Sequence, residues 1–416
     1  MALEYLRKND PTIAKLVHGE LERQRNCIEL IASENFISLP VMEAMGSVLS
    51  NKYAEGLPGA RYYGGCHVVD DVETVAINRA CELFGCKFAN VQAHSGVSAN
   101  IAAYLATVQP GDTVLGMSLA HGGHLSHGAG VNFSGMLYNV VHYGVSRETE
   151  TIDMNTVEQL AKKFRPKMII VGASSYPRTL DFAAFGRIAQ EVGAYLLADI
   201  AHIAGLIAGG AHPSPLPFAD ICTSTTHKTL RGPRGGFLLS NDEELARRID
   251  KAIFPGSQGG PLMHVIAAKA VSFAEALRPE FARYCEQILK NTQAIGRGMT
   301  DGGLRLVSGG SDNHLCLVDL TPASITGQEA ERLLEGMGIT ANKNAIPFDT
   351  LSPNVASGLR VGTAAMTTRG FTEDESEQVG KLIAQAIFNR SDVVVAQKVR
   401  NAVMDLLAAH PLYPEL

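Results

Sequence analysis

The stretch TSTTHKTLRGPRGG, residues 223–236, sets His227 and Lys228 among hydroxyls directly after FADIC, an apolar run that reads as the end of a buried strand. Burial disfavours the charged form of a lysine, so Lys228 either turns out to water or has a use for a neutral amine. HSGVSAN (94–100) puts Ser95 and Gly96 at the start of an expected helix. Free N–H groups, the helix dipole and a hydroxyl make an anion site there, although a serine so placed also serves as a plain N-cap. AYLLADIAH (194–202) ends a strand-like run on Asp199, a carboxylate that needs either a salt bridge or a cationic ligand. HGGHLSH offers His121, His124 and His127 at intervals of three, but its Gly-Gly breaks any helix that would align them, and no metal site is expected.

Nucleotide-type phosphate loops are absent: Lys228-Thr229 lacks the preceding GxxxxG, and no GxGxxG joins a strand to a helix in the first half. A helix-start anion site, an acid at one strand end and a lysine at the next together point to a smaller phosphate-bearing cofactor, pyridoxal phosphate. The lysine would bind it covalently, the acid would pair with its pyridine nitrogen, and the helix start would take its phosphate.

The elements that must hold these residues alternate. DTVLGM, LYNVVHYG, KMIIVGAS, AYLLADIA and FADICTST are short runs rich in Val, Ile and Leu, and several are separated by helical segments such as TVEQLAKKF and FGRIAQEVG. That pattern predicts βαβ units and a mainly parallel sheet, with ligands outside the carboxyl ends of its strands. After about residue 275 long helices dominate, with HLCLVDL and GLRVGTA as strands between them. An N-terminal arm and large cofactor domain over 1–275 and a smaller C-terminal α/β domain over 276–416 are therefore expected. The net charge of −6 without a basic stripe argues against a nucleic-acid binder. No run is long enough for a membrane span, and the start lacks the features of a signal peptide. Seven scattered cysteines without a CxxC pair suit reduced thiols in the cytoplasm.

TTHKTLRGPRGG, together with IELIASENF (28–36), NKYAEGLPGARYYGGC (51–66), HGGHLSHG (121–128), PGSQGGP (255–261), ANKNAIPFD (341–349) and GLRVGTAAMTTRGF (358–371), resembles serine hydroxymethyltransferase over nearly the whole chain. The resemblance implies an aspartate-aminotransferase-like (fold-type I) pyridoxal-phosphate enzyme with a seven-stranded sheet, acting as a homodimer with shared active sites. It implies transfer of a one-carbon unit from serine to tetrahydrofolate, leaving glycine. By that resemblance Lys228 carries pyridoxal 5′-phosphate, Ser95, Gly96 and His227 hold its phosphate, and Gly260 closes the site from the partner subunit. Asp199 sits on the pyridine nitrogen, His124 stacks on the ring, Ser174 and His202 lie near the phenolic oxygen, and Thr225 lies beside the lysine. Arg360 matches the clamp for the substrate carboxylate, helped by Ser33 and Tyr63, while Glu55 matches the acid–base group and Tyr53 a residue supplied across the dimer. Asn344, Tyr62, Leu119, Gly123 and Leu125 match the folate site. Ala93, Ser98, Ser257 and Ala364 depart from the family pattern, and Ala364, close in sequence to the expected clamp, leaves α-methylserine transfer or a folate-independent aldolase as the alternative activity.

Overall fold

A computed structural model describes residues 4–416. Two compact units emerge among the described residues: 35–289, and 4–34 together with 290–416. The N-terminal segment packs with the C-terminal unit. Ile28–Glu29 pairs in parallel with Ile339–Thr340, and the Gly362 N–H donates to the Leu30 carbonyl at 2.7 Å. Ile28 and Leu30 accordingly sit in the same apolar core as Ile339, Leu359 and Val361.

The continuous unit is built on seven strands: β1 (Phe88–Asn90), β2 (Thr113–Met117), β3 (Asn139–Tyr143), β4 (Met168–Val171), β5 (Tyr195–Asp199), β6 (Ile221–Thr225) and β7 (Gly236–Ser240). Their order across the sheet is β1-β7-β6-β5-β4-β2-β3. All neighbours are parallel except β7, which runs antiparallel to both β6 and β1. Every residue of β4, β6 and β7 is buried, as expected of strands covered on both faces. The carboxyl ends of β2, β4, β5 and β6 therefore lie along one edge. The reversal of β7 brings its first residue, and the end of β1, to that same edge. Every expected cofactor residue except Gly260 follows one of these ends. The run LYNVVHYG yields only Asn139–Tyr143 as strand, because Phe133–Leu137 before it is a short helix capped by Asn132.

The second unit carries a four-stranded antiparallel sheet of β8 (Arg305–Leu306), β9 (Leu315–Asp319), β10 (Asn342–Asn344) and β11 (Gly358–Gly362), ordered β8-β9-β11-β10. Among the described residues no helix is long and apolar enough to cross a membrane, and all seven cysteines are free thiols.

Candidate active site

Asp199 closes β5 and is the centre of a buried hydrogen-bond network. Its Oδ2 accepts from Asn100 Nδ2 and from His127 Nε2, each at 2.9 Å, and its Oδ1 accepts from the Ala201 N–H at 3.1 Å. His127 Nδ1 takes the His124 N–H at 3.2 Å, so its proton must sit on Nε2, facing the carboxylate. Asn100 is anchored in turn: Nδ2 also donates to Ser126 Oγ at 2.7 Å, and Oδ1 accepts from Thr223 Oγ1 at 2.6 Å. Ser126 spends its own proton on His124 Nδ1 at 2.7 Å. Burial pushes the Asp199 carboxyl up, but the hydrogen bond from His127, the charge that His127 and His124 take on when protonated, and the hydrogen bond from Asn100 outweigh it and hold the group well below the usual carboxylate range. Asp199 is thus a fixed anion.

His124 is drawn the other way. Burial above all, with the charges of His127 and Lys228 and against the pull of Asp199, brings its pKa down to about 4. Its ring is neutral at pH 7. The three groups His124, His127 and Asp199 come close enough to hold a metal ion, a cluster that the glycine-broken spacing did not suggest. Both ring nitrogens of His127 are already committed to hydrogen bonds, however, and His121 is elsewhere, its Nδ1 accepting from the Val145 N–H at 3.1 Å.

Lys228 is buried, directly after β6, with its carbonyl held by Asn35 Nδ2 at 2.8 Å and by the Arg231 N–H at 3.0 Å. Thr225 ends β6 and its hydroxyl donates to the Ala201 carbonyl at 3.4 Å. The His202 carbonyl accepts from Thr229 Oγ1 at 2.9 Å, which ties the turn after β5 to the turn after β6. Ser174, after β4, donates its N–H to the Gly122 carbonyl at 2.8 Å, which binds that turn to the histidine loop.

Both readings of HSGVSAN hold at once. Ser95 is the N-cap of Gly96–Thr107, its Oγ accepting the Ser98 N–H at 3.1 Å, while the helix start also faces the end of β6. A Cβ on Gly96 would lie 2.7 Å from Thr225 Cγ2, so only glycine permits this approach. Beside it, His227 Nδ1 is buried without a hydrogen-bond partner. Burial first, then the charges of Arg234 and Lys228, lower the His227 pKa to about 3. An orphaned ring nitrogen, a helix start stripped of Cβ and a fixed carboxylate are what a phosphate-bearing pyridine needs at its two ends, so these residues fit such a cofactor.

A second group gathers in the same unit. Tyr53 Oη donates to Glu55 Oε1 at 3.1 Å, the Tyr53 and Tyr63 rings meet edge to face at 5.2 Å, and a Cβ on Gly260 would touch the Tyr53 ring at 2.9 Å. Tyr53, Tyr62 and Tyr63 are exposed at 54%, 79% and 48%, as are Leu119 and Leu125. Gly123 is held to glycine by packing alone, since a Cβ there would run into the Met117 carbonyl.

In the other unit Arg360 lies in β11 between Leu317 and Asn342, and its Nε donates to Asn342 Oδ1 at 3.2 Å. Burial draws its pKa down to about 10, so it remains a guanidinium ion but gains from any anion that joins it. Ser33 follows the segment that runs along β11, where a Cβ on Gly362 would strike the Ala32 backbone. Asn344 ends β10 and donates to its neighbour's carbonyl, Ala345 O, at 2.7 Å.

The family model for serine hydroxymethyltransferase matches residues 6–383. The chain belongs to the serine hydroxymethyltransferase family. It is 56% identical to the serine hydroxymethyltransferase of Synechococcus sp. (strain JA-3-3Ab), an alignment covering 100% of this chain and 98% of that one. It is likewise 56% identical to the serine hydroxymethyltransferase of Crocosphaera subtropica, over 100% of this chain and 97% of the relative. The expected fold class and enzyme class stand with this membership.

Sequence reasoning missed Asn100, Ser126, His127 and Thr223 as the setting of Asp199. Asn100 lies five residues after Ser95 on the helix whose start was already singled out, and this was the available signal. Thr223 opens the hydroxyl-rich stretch before Lys228, but nothing local marked it as a partner of Asn100.

Proposed function

We propose that the chain holds pyridoxal 5′-phosphate covalently on Lys228 and transfers the hydroxymethyl group of L-serine to tetrahydrofolate, giving glycine and 5,10-methylenetetrahydrofolate. The observation that carries this reading is the ionised Asp199 network set beside Lys228 and the orphaned His227 nitrogen. When bound, the cofactor supplies an electron sink for bond breaking at the amino acid's α-carbon.

Asp199 keeps a proton on the pyridine nitrogen, and Asn100 and His127 keep Asp199 ionised and in place. His124, uncharged, covers the ring face. Ser174 and His202 lie towards the phenolic oxygen, and Thr225 orients the lysine. Ser95, Gly96 and His227 take the phosphate. Arg360, with Ser33 and Tyr63, clamps the substrate carboxylate in two-pronged fashion and so sets the angle of the breaking bond. Glu55 moves a proton at the hydroxymethyl oxygen, supported by Tyr53. Asn344 with Tyr62, Leu119, Gly123 and Leu125 receives the folate. Exposure of three tyrosines beside Glu55 and Gly260 supports a homodimer in which that group completes the partner's site. Seven free thiols support the cytoplasm as its location.

The test is product analysis with tetrahydrofolate and either serine or α-methylserine. Glycine formed from serine at the higher rate upholds the reading, whereas preference for α-methylserine replaces it. Borohydride reduction and peptide mapping should find the cofactor on Lys228, and a label on Lys251 or Lys343 would move the site.

A further inference from the structure

Lys269, on the helix Met263–Ala276, is 1% exposed and has no part in the reaction outlined above. Its Nζ donates to three backbone carbonyls: Val91 at 2.6 Å, Gly236 at 2.7 Å and Ala93 at 3.0 Å. A neutral amine has two N–H groups and a lone pair, so it could donate to only two of these oxygens and would turn its lone pair on the third. The geometry selects the ammonium, although burial draws its pKa down to about 7 while the charge of Glu73 raises it. Glu73 is itself engaged by Arg61 at 2.6 Å and Gln92 at 2.7 Å. No carboxylate forms an ion pair with Nζ among the described residues. A buried cation without a paired anion is costly, and its persistence calls for a reason.

The three carbonyls belong to the segments that form the phosphate site. Val91 and Ala93 lead into His94, Ser95 and Gly96. Gly236 opens β7, donates its N–H to the Ala93 carbonyl at 2.9 Å, and has the Ser95 carbonyl where its Cβ would be. At Gly235 a Cβ would lie 2.5 Å from Lys269 Cε, and the Gly235 carbonyl accepts the Thr226 N–H at 3.1 Å, next to His227. After burial, the charge of Lys269 contributes to lowering the pKa of both His94 and His227.

We propose that Lys269 is a positioning residue for the cofactor phosphate: its ammonium locks the Val91–Gly96 turn to the start of β7 and supplies a fixed positive charge that a phosphate dianion answers. This rests on the phosphate site read at Ser95, Gly96 and His227.

The experiment compares binding of pyridoxal phosphate with binding of pyridoxal, which lacks the phosphate, to the full chain stripped of cofactor. The parent protein and the variants Lys269→Met, Lys269→Gln and Lys269→Arg are measured alike. The parent should prefer the phosphorylated form. In the Met and Gln variants that preference should fall by about tenfold or more, as loss of one nearby charge at an effective dielectric of about 20 requires. The Arg variant should keep the preference to within about threefold, because the charge remains. If the neutral variants weaken both ligands by the same factor, Lys269 is only scaffolding and the proposal is overturned. Should they fail to fold, the Arg variant decides: loss of the phosphate preference despite a retained charge also overturns it. A parent protein without any preference would instead overturn the phosphate site, a separate result.

Discussion

Replacing Asn100 by aspartate keeps the shape of the side chain and reverses two of its hydrogen bonds. Asn100 Nδ2 now donates to Asp199 Oδ2 at 2.9 Å; the substituted carboxylate would set oxygen against oxygen there. Two unit charges about 3 Å apart repel by about 5 kcal/mol at an effective dielectric of about 20. The pair therefore retains one shared proton at pH 7, as close carboxylates do. Asp199 then meets the ring nitrogen with only part of its charge. A hydrogen bond to an ion is worth about 1.5–3 kcal/mol. At about 1.4 kcal/mol per decade, Asn100→Asp should lower the rate roughly 10- to 100-fold at pH 7. The rate should then recover as pH rises and the shared proton leaves. Asn100→Ala, which adds no proton, should be slow without that recovery. The assay is glycine formation from serine and tetrahydrofolate between about pH 6 and 9, with near-visible absorbance reporting bound cofactor. A parent-like rate for Asn100→Asp at pH 7, with a flat profile, would refute the role given to the charge of Asp199.

Arg360→Lys keeps the charge but loses the planar fork, so serine affinity should fall by about 10- to 100-fold with cofactor retained; unchanged affinity would make Arg360 structural. Glu55→Gln should slow turnover of serine by about 10²–10⁴-fold while glycine binding stays near normal, and parent-like turnover would remove Glu55 as the proton carrier. Asn344→Ala should weaken folate binding and leave folate-independent cleavage of a β-hydroxy amino acid intact; untouched folate affinity would displace the folate site. Glu29 is buried, and burial first, then the charge of Glu34, raises its pKa from 4.5 to about 7. The folded form holds this proton where the unfolded form has lost it, so stability falls as pH rises from 4.5 to about 7 and stays reduced above. Glu29→Gln should therefore raise the melting temperature at pH 8 and barely change it near pH 4.5. Equal shifts at both would show that titration is not the cause.

The sheet and its polar edge were legible because five of its strands fall in short runs rich in Val, Ile and Leu, and the expected cofactor residues other than Gly260 lie at or after strand ends. β7 was harder: GFLLS reads as strand, but its antiparallel direction depends on the short turn after Lys228 and leaves no periodic mark. The attachment of the N-terminal segment to the later unit was not legible, because the pairing of Ile28–Glu29 with Ile339–Thr340 joins residues some three hundred positions apart, and no local pattern encodes such a partner. The HGGHLSH loop shows the same limit at the site. Its glycines do break a regular helix, yet two short turns still deliver His124 and His127 to Asp199. Lys269 was invisible for a simpler reason. Within an alanine-rich helix it looks like a surface residue, and only the three carbonyls above it reveal otherwise.

The pairing of Ile28–Glu29 with Ile339–Thr340 also orders events during synthesis. The segment around Ile28–Glu29 emerges from the ribosome before residues 35–289 and its strand partner after them, while residues 35–289 form a continuous stretch able to fold in between. At about 5–20 residues per second, roughly fifteen seconds to a minute separate the appearance of Leu30 from that of its partner Thr340. Throughout that interval the apolar side chains of Ile28 and Leu30 lack their core. A nascent chain stalled before residue 339 would carry a finished cofactor unit and an unsatisfied strand ahead of it, the kind of edge that chaperones bind and that other chains pair with.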